Sequence, residues 1–223
     1  MSPNKTALLF GATGLVGTKL LELLLEDERY EKIRVANRKS KNYSNTKIEE
    51  VIVDFSALEK HADCFKVDHV FICLGTTIKK AGSKPAFEKV DLEYPTEIAK
   101  LSKHNGVKQL VHISAMGANS TSSNFYAKTK GSAEKLIWEN GPENSYAVRP
   151  SMLFGDRNEF RLGEKIGIFF MKNLKFLMQG GLKKYRGIYD AEVAEAMLFI
   201  ANAGPKQKSF DSDELKAIAT SNF

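Results

Sequence analysis

Short apolar runs alternate with longer helix-like stretches from the start of the chain. Lys5–Phe10, Ile33–Ala36, Ile48–Val53, His69–Leu74, Gln109–Ile113 and Ser145–Val148 read as strands; Leu15–Glu28, Pro85–His104 and Asn124–Glu139 read as helices. Strands joined through helices by right-handed crossovers run parallel, with both faces of their sheet covered. The expected fold is α/β, a doubly wound parallel sheet. Pro95 lies inside the long helical pattern after the fourth strand, so that helix should break or restart near Glu93–Pro95.

After Pro150 the alternation stops. Phe160–Lys184 is rich in Phe, Gly and Lys and precedes a last helix at Ala191–Ala201. The whole of 1–223 reads as one domain, with 156–187 as a small C-terminal substrate lobe. The apolar content of Phe160–Gly181 suits a helix packed on its own domain; a subunit contact, an apolar substrate lid or reversible membrane-surface association are the alternatives. Gly180-Gly181 could end that helix and act as a hinge.

With 43% hydrophobic and 27% charged residues among 223, the chain has the balance of a globular domain. No apolar run approaches the roughly 20 residues of a membrane span, so stable membrane insertion is not expected. The first apolar run leads straight into a glycine turn and reads as a strand rather than a secretory signal, which suggests a cytoplasmic protein. Cys64 and Cys73 are too few for a disulfide framework, and His61, His69, His104 and His112 lack metal-ligand spacing. The net charge of +6 is spread along the chain without a nucleic-acid-binding motif. It fits a surface that attracts an anionic cofactor or substrate.

The chemistry begins at Gly11-Ala-Thr13-Gly14-Leu15-Val16-Gly17, between a strand and a helix. Gly11 allows a tight turn, Gly14 a close approach of backbone to a pyrophosphate, and Gly17 close packing of helix on sheet. Amides at that helix start, favoured by the helix dipole, would face the phosphates. An NAD-preferring site would carry an acid after the second strand, whereas this chain has Asn37, Arg38 and Lys39. Arg38 could pair with a 2′-phosphate, which favours NADP(H) and leaves NAD(H) open; a solvated charge run is the other reading. Asp54, followed by Phe55, could accept from an adenine amino group or merely end its strand. Leu74-Gly75-Thr76-Thr77 closes the fourth strand where small residues admit ribose and pyrophosphate. Cys73 reads as a buried, unreactive thiol.

Tyr126 and Lys130 stand four residues apart and share a helix face. An ammonium beside a phenol favours the phenolate, which makes tyrosine a usable acid or base. Ser114 ends the strand before them and could hold a substrate oxygen as charge develops. Alone, the three residues could be a surface aromatic, a solvated charge and a strand-end cap. Together with the glycine turn they form a candidate catalytic set.

These motifs, with Cys73-Leu-Gly-Thr-Thr-Ile-Lys-Lys-Ala-Gly82, Val90-Asp91, Tyr126-Ala-Lys-Thr-Lys-Gly131 and Arg149-Pro-Ser-Met-Leu-Phe-Gly155, make the chain resemble the short-chain dehydrogenase/reductase superfamily. The likeness runs along nearly the whole length and is to its extended or atypical branch, in the Tat-interacting-protein oxidoreductase-like group. It implies a Rossmann fold, Tyr126 as acid/base, Lys130 also on the nicotinamide ribose and Ser114 orienting substrate. It further implies backbone contacts from Pro150, Ser151, Met152 and Leu153 past the nicotinamide. Ile188–Ala194 resembles the segment leading into a late helix of extended members. The short tail, and Leu74–Thr77 where an asparagine-containing motif is usual, speak against sugar-nucleotide chemistry.

The expected activity is an NADPH-dependent oxidoreductase acting on a small-molecule carbonyl or alcohol. The alternative is an NADP(H)-binding regulatory or redox-sensing protein with little catalysis. A homo-oligomer is compatible with either reading.

Overall fold

Ala7–Phe10 are wholly buried, and their alternation decides the layers: Ala7 and Leu9 enter one core, Leu8 and Phe10 the other. A strand apolar on both faces belongs inside a covered parallel sheet. The computed structural model describes residues 4–155 and 186–221. In it Lys5–Phe10 (β1) is the third strand of a seven-stranded sheet.

The others are Tyr30–Asn37 (β2), Ile48–Ile52 (β3), His69–Ile72 (β4), Gln109–Ile113 (β5), Ser145–Arg149 (β6) and Ser209–Asp211 (β9). They lie in the order β3-β2-β1-β4-β5-β6-β9, every pair parallel. Leu153–Phe154 (β7) and Ile188–Tyr189 (β8) form a separate parallel pair. This is the expected doubly wound Rossmann arrangement.

Leu15–Glu26 (α1) packs with Asp190–Ala203 (α6) on one face, where Val16, Leu20 and Leu24 meet Val193, Met197 and Ile200. Tyr94–His104 (α4) and Phe125–Asn140 (α5) cover the other, where Ile98, Ala99 and Ile137 meet Leu8, Val70 and Leu110. The order in which the chain adds strands reverses between β1 and β4. In an open sheet the crevice at the carboxyl ends of such neighbours is the natural ligand site.

The break expected near Pro95 is a π-helical turn over Lys89–Glu93, closed by the Tyr94 amide on the Lys89 carbonyl. Pro95 sits in the first turn of α4, where its missing N–H does no harm. Before it come two short helices, Ile78–Ala81 (α2) and Lys84–Glu88 (α3). β4 stops at Ile72, two residues short of the predicted end.

β9 and the final helix Ser212–Thr220 (α7) were not anticipated from the apolar pattern. Their signal lies in the polar residues: Asp211 and Glu214 form a reciprocal capping box at the start of α7. The proposed substrate-lobe helix and its Gly180-Gly181 hinge lie outside the described residues.

At the amino ends of the strands a buried polar group is fully knit. The Tyr30 hydroxyl lies 2.7 Å from His69 Nδ1, Asn202 Nδ2 donates to Tyr30 at 2.9 Å, and Lys5 Nζ donates to Asn202 at 2.5 Å. Asn202 donates to the phenol oxygen, and a phenol that gives its own hydrogen to His69 Nδ1 completes the chain. Burial pushes His69 down to about 4 and Tyr30 upward, which keeps both neutral.

Candidate active site

The first wall of the crevice is the β1–α1 turn. Gly11 has φ +83°, and a Cβ there would stand 2.5 Å from the Cys73 carbonyl oxygen. A Cβ at Gly17 would strike the Gly11 carbonyl. The two outer glycines therefore make the turn and the helix-on-sheet approach feasible, as expected. Gly14 caps α1 with no side-chain cap and no acid in the first turn, so Leu15, Val16 and Gly17 open a helix whose start suits an anion. Thr13 lies exposed on this turn, and Val16 anchors it in the core.

The second wall follows β4. Leu74 packs on the core, and the Gly75–Thr77 turn leads into α2, with Thr77 accepting from the Lys80 amide at 3.1 Å. Cys73 precedes it, and burial pushes its thiol upward, which keeps it from acting as a nucleophile.

At the β2 end, Asn37 is buried and donates to Glu50 at 2.9 Å, while Arg38 and Lys39 are exposed. Past β3, the Asp54 carboxylate accepts from the Ser56 amide at 2.8 Å and the Ser56 hydroxyl at 2.6 Å, which lowers its pKa. Phe55 stacks between Phe10 and Tyr94, with ring centroids 6.0 and 5.0 Å away.

The third wall carries the candidate chemistry. Ser114 follows β5, is 4% exposed, and its hydroxyl has no hydrogen-bond partner among the described residues. Tyr126 stands in the first turn of α5, 42% exposed, with its ring 5.7 Å from that of Phe87. One turn on, Lys130 is buried. Its ammonium pairs with Asp91 Oδ1 at 2.8 Å and donates to the Ile113 carbonyl at 3.3 Å.

Asp91 comes from the π-helical turn, is 1% exposed, and takes the Thr76 amide on its other oxygen at 2.9 Å. His112 lies beside them, and neither of its ring nitrogens has a hydrogen-bond partner among the described residues. Burial, then the nearby Lys130 charge, holds it down to about 3. Asp91, His112, Ser114 and Lys130 line one crevice closed behind by Pro95 and Ala133.

Behind this wall Glu134 of α5 grips Arg149 of β6 in a two-point ion pair, with Arg149 Nε on Glu134 Oε1 at 2.8 Å. The clamp fixes where Pro150 leaves the sheet. Several backbone groups expected to meet a nicotinamide are engaged within the chain. Pro150 O accepts from the Met116 amide at 3.1 Å, Ser151 N donates to the Ser212 hydroxyl at 2.6 Å, and Met152 O accepts from the Ile188 amide at 2.9 Å. Leu153 is paired in β7–β8.

The sequence-expected residues follow the carboxyl ends of the strands; Ser114 and Lys130 line one crevice, while Tyr126 stands outside its lining with its ring against Phe87. The carboxylate of Asp54 and the amide of Asn37 are turned to partners of their own. Asp91, Glu134 and Arg149 had no part in the expected site. Asp91 stood in a recognisable Val90-Asp91 motif, but only the fold shows its partner.

Comparison with known proteins agrees. The family described as NAD dependent epimerase/dehydratase matches residues 7–211. Protein HTATIP2 of Rattus norvegicus is 33% identical over 175 residues, covering 77% of this chain and 72% of that protein. Protein FMP52, mitochondrial, of Meyerozyma guilliermondii is 33% identical over 207 residues, covering 87% and 84%. The solved structure of the Bordetella bronchiseptica enzyme WbmF in complex with NAD+ shares the fold, with a TM-score of 0.69 at 16% identity over 98% of this chain and 77% of that one.

The fungal relatives overturn one expectation. FMP52 proteins from several yeasts are mitochondrial by name, so the cytoplasmic reading does not stand. An opening strand in place of a secretory signal bears on export alone and does not separate one internal compartment from another. No helix among the described residues is long and apolar enough to cross a membrane.

Proposed function

The chain belongs to the NAD dependent epimerase/dehydratase family, and from that premise we propose that it is an NADPH-dependent oxidoreductase acting on a carbonyl or alcohol through Ser114, Tyr126 and Lys130. The observation that carries this is the Ser114 hydroxyl, without a partner among the described residues and buried in the same crevice as the Lys130 ammonium, at the sheet edge that also carries the glycine turn and its uncapped helix start. A buried hydroxyl without a partner is costly unless a ligand completes it.

A nicotinamide dinucleotide held on the Gly11–Gly17 turn and the Leu74–Thr77 turn would supply hydride chemistry. Everything else falls to the chain. Ser114 donates to the substrate oxygen, and Tyr126 gives that oxygen its proton in reduction or removes it in oxidation. Lys130, one turn after Tyr126, would bring positive charge to the phenol's side of the helix and has a remaining N–H that would serve a nucleotide ribose. Exposed Arg38 and Lys39 favour a 2′-phosphate, hence NADP(H) over NAD(H).

The test is fluorescence titration with NADPH and NADH, followed by a carbonyl panel read at the nicotinamide absorbance, for the wild-type protein and Tyr126→Phe. We expect tighter NADPH binding, and a variant that keeps this affinity while kcat falls by about a thousandfold. Unchanged turnover in Tyr126→Phe excludes the mechanism. Tight binding with no turnover on any carbonyl selects the cofactor-sensing alternative.

A further inference from the structure

Asp91 and Lys130 form an ion pair almost wholly out of water, with side-chain exposures of 1% and 7%. Such a pair recovers little net stability, because taking both charges out of water offsets their attraction. An apolar pair of similar volume would hold the π-helical turn to α5 about as well. Its geometry, however, does what an apolar pair cannot. One carboxylate oxygen holds the ammonium of α5, and the other holds the Thr76 amide of the turn after β4. The Gly75 turn runs directly over this carboxylate, where a Cβ would lie 3.6 Å from Oδ1.

The lysine is steered as well as paired. Of its three N–H groups, one meets Asp91 and one the carbonyl of Ile113, the residue before Ser114. Those two bonds fix the direction of the third. The π-helical turn ahead of Pro95 carries Asp91 to this place, and wide turns of this kind are frequent at functional sites.

We propose that Asp91 is a positioning residue that acts through Lys130, holding the ammonium and the Thr76 turn in one register so that the lysine's free N–H faces the nucleotide ribose. The idea rests on the nucleotide-binding role given to Lys130 above. The other charged or titratable groups on the elements around the pair are neutral His112 from β5, Tyr126 one turn before Lys130 on α5, and Arg149 from β6, which Glu134 already holds. Asp91 is the carboxylate in contact with the ammonium.

A double-mutant cycle on the full chain tests this. NADPH affinity is measured by fluorescence for wild type, Asp91→Asn, Lys130→Met and the double variant. Asp91→Asn should weaken NADPH about tenfold, as should Lys130→Met, and the double variant should bind no worse than Lys130→Met alone. Losses that multiply, or wild-type affinity in Asp91→Asn, overturn the proposal.

If Asp91→Asn fails to fold with an uncompensated lysine, the double variant carries neither charge. Weaker binding by it than by Lys130→Met then overturns the proposal on its own. In turnover, Asp91→Asn should lower kcat while the carbonyl KM stays within about twofold. A wild-type protein that binds neither NADPH nor NADH defeats the functional reading, whereas multiplying losses in a protein that binds defeat only the role of Asp91.

Discussion

Two buried polar sets, one at each end of the sheet, stand on opposite terms. At the amino end, Tyr30, His69, Asn202 and Lys5 form a chain in which each member supplies what its neighbour lacks. At the carboxyl end, Ser114 Oγ and both nitrogens of His112 are buried and unpartnered among the described residues. Unpartnered buried atoms occur where strands begin as well, at Gln109 Oε1 and the Tyr146 hydroxyl, so the contrast is between these two sets and not between the whole ends of the sheet. Completed networks stiffen a fold. An incomplete set that lines a crevice is one a ligand can finish.

The contrast can be broken most sharply at Ser114. Replacing it with Ala removes a hydroxyl without a partner, so turnover should fall about a hundredfold while the melting temperature holds or rises. A variant that loses stability and keeps its turnover would mean the hydroxyl is satisfied after all.

Tyr30→Phe is the mirror experiment. It strips His69 and Asn202 of their shared partner and should cost about 1–3 kcal/mol in urea denaturation, with nucleotide affinity unchanged. A loss of affinity here would show that the two ends are coupled.

The smallest effect is acid sensitivity. His69 and His112 are held down to about 4 and about 3 from an ordinary 6.5. As pH falls below 6.5 the unfolded chain takes up protons that the folded one refuses, so stability declines, by up to about 1.4 kcal/mol per histidine per pH unit. Melting curves at pH 7 and 5.5 should show the decline, and His112→Leu should remove the carboxyl-end half of it. An unchanged slope would place His112 in contact with water.

Much of this layout was legible before any coordinates, because strands buried on both faces and glycine turns are local patterns. The break at Pro95 could be read from one residue, although not that it takes a π form. The site was harder in proportion to how far its parts lie apart in sequence. Tyr126 and Lys130 announce themselves by helical spacing. Asp91 stood in a recognisable Val90-Asp91 motif, but its partner lies 39 residues on, and only the fold sets α5 against it.

Asp54 and Asn37 show what spacing along the chain does not supply, the partners that each side chain takes. Asp54 Oδ1 takes the Ser56 amide and hydroxyl, and Asn37 donates to Glu50. The β9–α7 end was missed because its run Ser209–Asp211 is too short for periodicity to register, while its capping box is plain to see.

Gly131, beside Lys130, would drive a Cβ into the Asn119–Ser120 backbone, and the Asn119 amide is bonded to Ala127 O at 3.0 Å. A single missing methyl thus sets how closely the segment after Ser114 can lie on the helix bearing the phenol and the ammonium. Any larger residue there would push the helix outward and lengthen the reach between serine and tyrosine without touching either. The tolerance of this enzyme-like site to redesign is thus limited by a position that has no side chain at all.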